Sequence, residues 1–188
     1  MKRSCKQKIA RIRVLVFDVD GVLTDGTLFV DEEGRELKVF HTRDGLGLVL
    51  AKRAGLKVVF FSGKASPVVL QRARILGVDR VMQGIRNKGE AFERLIRSME
   101  VSPDEVCYMG DDIIDLPCMR KAGLAVAVSD ADESVRKISH WVSSKSGGRG
   151  AVRELVETVL KIQGKWDSAV ERYYSDTNSE SDNKGSLS

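Results

Sequence analysis

Apolar residues in this chain come in short runs separated by segments with a longer period. Six runs are rich in β-branched or aromatic residues: VLVFD (14–18), LKVVFF (56–61), RVM (80–82), EVCYM (105–109), LAVAV (124–128) and HWV (140–142). Between them, SPVVLQRARILG, NKGEAFERLIRSM, DDIIDLPCMRKAG, DADESVRKI and the late GAVRELVETVLKIQG repeat apolar residues at helical spacing. Short runs predict buried strands, and their alternation with helices predicts an α/β fold: a doubly wound parallel, Rossmann-like sheet with helices on both faces. In such sheets ligands sit at the carboxyl ends of the strands, near the point where strand order switches.

One segment breaks the rhythm. TLFVDEEGRELKVFH, Thr27 to His41, alternates apolar and polar residues around Glu-Glu-Gly. That pattern predicts an antiparallel β-hairpin at about 27–41, inserted between the first strand and the first helix. The insertion is too short for a cap domain, so any cover over the strand ends comes from this hairpin or from a neighbouring subunit. Leu28, Val30, Leu37 and Val39 are expected on one hairpin face, which makes that face a candidate assembly surface.

Composition adds limits. With 188 residues, 42% of them hydrophobic and 31% charged, the chain fits one soluble domain. Its formal charge of +4 is concentrated in Lys2, Arg3, Lys6, Lys8, Arg11 and Arg13, which precede the first acid. The remainder is slightly acidic, so residues 1–12 read as a solvated basic arm, and no nucleic-acid partner is expected. Cys5, Cys107 and Cys118 are odd in number and lack metal-site spacing, which fits reduced thiols in a cytoplasmic protein. No apolar run approaches the roughly 20 residues of a membrane helix, so no membrane partner is expected. The polar stretch 175–188 reads as a disordered tail, leaving 13–174 as the folded domain.

The chemistry gathers at predicted strand ends. Asp18 and Asp20 close the first strand, with Gly21 next. Residues two apart in an extended chain point the same way, so both carboxylates face one pocket, where like charges need a cation or a shared proton. A turn cap is the alternative reading of these two residues alone. A second cluster, Asp111, Asp112 and Asp115, follows the strand ending at Met109, and two acidic strand ends in one sheet suit a hard cation such as Mg²⁺. Ser62 and Gly63 follow LKVVFF and offer a hydroxyl and backbone N–H groups to an anion, and Lys88 adds a fixed positive charge. Nucleophile, metal ligands, hydroxyl and cation together form an inventory for phosphoryl transfer.

In this order and spacing, DVDGVLTDG, FFSGK, Lys88 and GDDIID resemble the haloacid dehalogenase superfamily of phosphohydrolases, from Arg13 to about Ile162. The resemblance implies that Asp18 attacks phosphorus and that Asp20 acts as general acid and then base. Asp18, the Asp20 carbonyl and Asp111 would hold Mg²⁺, Ser62 and Lys88 would bind phosphoryl oxygens, and Asp112 and Asp115 would orient the metal site or cap helices. The hairpin without a cap domain, FHTRDGLGLVLAKRAGLKV, the spacing of Gln83, Gly84 and Lys88, and SGGRGAVRELVETVLKIQGKW are similar to the 3-deoxy-D-manno-octulosonate 8-phosphate phosphatase family. That narrower resemblance implies a sugar-phosphate substrate in lipopolysaccharide precursor synthesis and a homotetramer whose hairpins meet and whose neighbouring chains close each site. It also implies substrate contacts from His41, Thr42, Arg43, Asp44 and Gly45, with Arg86 a further candidate.

Two departures stand out: Lys64 occupies a place where many relatives carry Arg, and Arg149, in Gly-Gly-Arg-Gly, belongs either to a turn or to a pocket. The alternatives are a phosphatase for a nine-carbon ketosugar acid 9-phosphate, a receiver-like signalling domain and a non-catalytic module on the same fold.

Overall fold

The computed structural model describes residues 3–174, so the expected tail at 175–188 lies outside the described residues. The chain runs α1 (Arg3–Ala10), β1 (Val14–Phe17), β2 (Phe29–Val30), β3 (Glu36–Leu37), α2 (Thr42–Arg53), β4 (Lys57–Phe61), α3 (Pro67–Leu76), β5 (Arg80–Met82) and α4 (Lys88–Ser98). It continues through β6 (Val106–Gly110), α5 (Leu116–Met119), β7 (Leu124–Ala127), α6 (Glu133–Ile138), β8 (Trp141–Val142), α7 (Ala151–Ile162) and α8 (Trp166–Val170).

All six expected strands form one parallel sheet in the order β5-β4-β1-β6-β7-β8. The central strand β1 is buried along its whole length, as a strand covered on both faces must be. Strand order reverses between β1 and β6, so the crevice at their carboxyl ends is the switch point. Helices α1, α2, α3, α7 and α8 form one contacting layer, while α4 and α5 pack together in the other. Between α4 and the sheet, the rings of Phe61, Phe92 and Tyr108 meet edge to face with centroids 5.5–6.2 Å apart. That arrangement is favourable for aromatic quadrupoles, and it fixes Tyr108 beneath the β6 strand end.

The amino-terminal arm corrects the expectation of a solvated leader. Residues Arg3–Ala10 form a helix that buries Cys5 and Ile9, and Ile12 follows into the core. Spacings of four and three put these apolar residues on one stripe between the basic ones. Gln163 Nε2 donates to the carbonyls of Ile9 and Ile12, and Lys8 Nζ to that of Gly123, so the arm is fastened to the body.

The hairpin forms, but its faces differ from the expected grouping. Phe29 pairs with Leu37 and Val30 with Glu36. Cross-strand partners share a face, so Phe29, Leu37 and, by alternation, Val39 point one way, while Leu28 and Val30 share the other with Glu36 and Lys38. The turn at 31–35, closed by the Asp31 N–H on the Arg35 carbonyl, sets this register. A one-residue difference in pairing moves every side chain to the opposite face.

Candidate active site

The first strand delivers Asp18 into the switch-point crevice, where it is 4% exposed and its N–H donates to the Met109 carbonyl. The chain then turns under the control of Thr24. Its buried Oγ1 donates to the Val19 carbonyl at 3.4 Å and accepts from the N–H groups of Gly21 and Gly26 at 3.3 Å. One hydroxyl thus closes the DVDGVLTDG loop, a role for the motif threonine that the sequence reading did not assign. Gly21 sits at φ +92°, and a Cβ there would overlap the Asp111 carboxylate, so a residue with a side chain cannot let the two strand ends approach.

The GGRG segment braces the same loop. A Cβ on Gly147 would collide with the Gly21 carbonyl, the Gly148 N–H donates to the Val22 carbonyl at 2.9 Å, and Arg149 Nη2 donates to Asp25 Oδ2 at 2.9 Å. Arg149 thus pairs with Asp25 on the loop that follows β1.

Lys88, at the start of α4 and 6% exposed, joins the two acidic strand ends. Its Nζ donates to Asp18 Oδ1 at 2.5 Å and to Asp115 Oδ1 at 2.7 Å. Asp115 is fully buried and also accepts from the Tyr108 hydroxyl at 2.7 Å and the Asp111 N–H at 3.1 Å. It thereby fixes the backbone that presents Asp111. Asp112 is exposed and caps the following 3-10 turn through the Ile113 N–H at 2.7 Å. Of the two acids expected around the metal site, Asp115 organises it, and Asp112 has the helix-capping role.

Charge is not balanced in this cluster. Asp18, Asp111 and Asp115 each place an oxygen within 4.8 Å of the others, with Lys88 the cation bonded to two of them. Burial first, then the Asp115 charge, raises Asp18 above the ordinary carboxylate range despite Lys88. Burial, followed by the charges of Asp18, Asp115 and Asp112, raises Asp111 in the same way. For Lys88 burial opposes the charge, but Asp18 and Asp115 outweigh it and hold the ammonium above its usual range. Asp111 Oδ1 is buried without a hydrogen-bond partner. Hard oxygen donors, surplus negative charge and an orphaned carboxylate oxygen fit a small divalent cation such as Mg²⁺.

Ser62 is buried at the carboxyl end of β4, beside β1. Its Oγ donates to the Lys64 carbonyl at 2.9 Å and accepts the Lys64 N–H at 3.1 Å, so the 62–64 loop is closed on itself. Helix α3 begins three residues after Lys64, at Pro67, so the loop rather than the helix end is what stands over the strand. Gln83 ties this loop to the next one through both ends of its amide, which bond the Ser66 N–H and carbonyl. Arg86 is exposed and lines a groove of about 560 Å³ with Gln83, Asn87, Glu90 and Arg94.

Residues 41–45 divide. Thr42 and Arg43 are exposed at the start of α2, and His41 is half-buried, with Nδ1 3.5 Å from Asp44 Oδ2. Asp44 is 2% exposed and spent elsewhere: its oxygens accept the Gly150 N–H at 3.1 Å and the Arg153 N–H at 2.7 Å. It therefore caps α7, not its own helix, and its placement argues against contact with a substrate hydroxyl. Gly45 is buried, and a Cβ there would press on the tip of the Arg72 side chain.

Two side chains that sequence reasoning missed come from the hairpin. Lys38 Nζ pairs with Asp20 Oδ1, and Glu36 Oε1 pairs with Lys64 Nζ. The hairpin is thus pinned across the mouth of the crevice by ion pairs to two of its loops. The alternation that placed Glu36 and Lys38 on the polar face was the available signal; which way that face turns is tertiary information.

A profile of haloacid dehalogenase-like hydrolases matches residues 77–155. The 3-deoxy-D-manno-octulosonate 8-phosphate phosphatase of Escherichia coli (strain K12) is 42% identical over 162 residues, covering 86% of this chain and 86% of that one. Among solved structures, the same-named phosphatase of Yersinia pestis superposes with a TM-score of 0.87 at 37% identity, covering 89% of this chain and 90% of that one. The Moraxella catarrhalis enzyme, in complex with magnesium, phosphate and a KDO molecule, superposes with a TM-score of 0.89 at 35% identity, covering 92% and 99%.

Proposed function

The chain belongs to the 3-deoxy-D-manno-octulosonate 8-phosphate phosphatase family of haloacid dehalogenase-like hydrolases, and from that premise we propose that it hydrolyses 3-deoxy-D-manno-octulosonate 8-phosphate to the free sugar acid and phosphate. The observation that carries the reading is the buried Asp18–Lys88–Asp115 cluster facing Asp111 at the switch point, an anion-rich pocket that suits a divalent cation. Bound through Asp18, Asp111 and the Asp20 carbonyl, Mg²⁺ supplies neutralisation of the phosphoryl charge and holds phosphate against the carboxylates.

The chain's own residues do the rest. Lys88, already bonded to Asp18, would also bind phosphoryl oxygens, and the Ser62 hydroxyl would turn from the Lys64 carbonyl to meet them from the next strand. An Asp18 oxygen forms a bond to phosphorus as the ester P–O bond breaks, and Asp20 gives its proton to the departing sugar oxygen. Asp20, now a carboxylate, takes a proton from water as that water's oxygen bonds to phosphorus and the Asp18–phosphorus bond breaks. Phosphate leaves and Asp18 is regenerated.

Arg43 and Arg86, both exposed, remain the candidates for the sugar acid's anionic groups, with Thr42 and His41 beside them. The apolar hairpin face supports assembly into a homotetramer, whose neighbouring chains would exclude water from a site that has no cap domain. Free, buried cysteines fit a reducing cytoplasm.

The test is kcat/KM with Mg²⁺ across a panel holding the eight-carbon acid 8-phosphate, a nine-carbon acid 9-phosphate and hexose phosphates. The eight-carbon substrate should be preferred, and Asp18→Asn should lose at least ~10⁴-fold in kcat. A nine-carbon preference replaces the substrate, and a clear hexose preference overturns the sugar-acid reading.

A further inference from the structure

Lys38 occupies an unusual place for a lysine. It directly follows the two-residue strand β3 of an otherwise exposed hairpin, yet its side chain is only 3% exposed, with Nζ on Asp20 Oδ1 and Glu36 Oε2 4.0 Å away. A lysine on a surface hairpin ordinarily keeps its ammonium in water, and covering that charge is costly unless an anion compensates it. The compensating anion here is Asp20. The network around Thr24 fixes the backbone of the DVDGVLTDG loop without touching the Asp20 carboxylate, which is one-third exposed.

The geometry points to Lys38 as a positioning residue that holds the Asp20 carboxyl group at the point where proton transfer is needed. This rests on the phosphatase reading above and on Asp20 as its acid and base. In the first half-reaction the Asp20 proton passes to the departing oxygen as the ester P–O bond breaks, and Lys38 faces the carboxylate that remains. In the second, that carboxylate takes a proton from the attacking water while Lys38 keeps its oxygens from turning to solvent. The hairpin is therefore part of the proton-transfer apparatus as well as an edge for assembly. The Glu36–Lys64 pair fastens the same hairpin without reaching Asp20, so it separates anchoring from positioning.

Leaving-group dependence tests this. An alkoxide leaving from a sugar phosphate needs a proton, whereas p-nitrophenolate departs without one. In full-length protein with Mg²⁺, Lys38→Met should lower kcat/KM for the sugar phosphate by ~10–100-fold while changing that for p-nitrophenyl phosphate by no more than about 3-fold. Lys38→Arg should recover most of the loss, and Lys64→Met, which removes the Glu36–Lys64 tether and leaves Lys38 and Asp20 in place, should affect both substrates alike. Asp20→Asn is the reference and should show the same split, more strongly. If Asp20→Asn shows the split and Lys38→Met slows both substrates equally, Lys38 is only an anchor and the proposal is overturned while the reading of Asp20 stands. If Asp20→Asn shows no split, the acid assignment falls first and Lys38's role falls with it.

Discussion

Lys88 is bonded to Asp115 almost as closely as to Asp18, at 2.7 and 2.5 Å, and Asp115 is the more deeply buried of the two acids. Lys88 is thus held from behind by a residue that has no exposed surface. Removing that carboxylate leaves the Tyr108 hydroxyl, the Asp111 N–H and one side of Lys88 without a partner.

Asp115→Ala should therefore destabilise the protein by about 1–3 kcal/mol, in the range for leaving buried donors unsatisfied. It should also weaken Mg²⁺ dependence, because the Asp111 backbone loses its anchor. Urea unfolding and a Mg²⁺ titration of activity check both effects. An unchanged denaturation midpoint would show that Asp115 does not organise the cluster.

The sheet was legible because each of its strands is short, apolar and bounded by turn residues, and burial on both faces leaves no other use for VLVF or LAVA. The acidic strand ends were legible because Asp18, Asp20 and Asp111 follow such strands directly. What the sequence hid was direction in space. The alternation of the hairpin was plain, but its register depends on how residues 31–35 turn, and with it the faces of Leu28 and Leu37. The basic arm was misread because six cations outweighed a three-residue apolar stripe that matters only once α7 and β7 are there to receive it. Lys38 and Asp44 act on partners 18 and 109 residues away, and no local pattern marks such pairs.

Asp44 offers a direct contrast between a substrate contact and a structural cap. Burial raises its carboxyl above the ordinary range, and the two N–H groups at the start of α7 work against that rise. Asp44→Ala orphans both donors at a buried helix end, so stability should fall by about 1–3 kcal/mol. KM for the sugar phosphate should stay within about 2-fold, since the side chain faces α7. A large rise in KM with an unchanged unfolding midpoint would return Asp44 to the substrate site.

The raised carboxyls of Asp18 and Asp111 carry a pH signature. Their folded pKa values lie above those of the unfolded chain, so the stability they contribute is complete below the ordinary carboxylate range and is lost as pH rises through the folded values. In chelator, melting temperature should fall between about pH 4 and about pH 8, with each group contributing up to ~1.4 kcal/mol per pH unit. Saturating Mg²⁺ should remove the fall by compensating both charges. His140, lowered by burial, acts in the opposite sense; Asp111→Asn in chelator therefore isolates the cluster and should show a shallower fall than the parent. Parallel slopes for parent and variant would mean that Asp111 is not charged against its surroundings.

The hairpin register decides which face is free for assembly. Glu36 and Lys38 turn toward Lys64 and Asp20, whereas Phe29, Leu37 and Val39 point the other way and are 51%, 67% and 60% exposed. Three large apolar side chains on one short ladder are costly to leave in water, at about 25 cal/mol per Å², and a two-stranded ribbon alone is marginal. A second copy offering the same face would bury the side chains and extend the ladder. Leu37→Glu should consequently lower the mass measured by light scattering, and loss of the neighbouring chains should reduce kcat/KM for the sugar phosphate by about 10-fold or more as water enters the site. A parent protein that is monomeric and fully active, or a Leu37→Glu variant of parental mass, would show that this face is not what joins the copies.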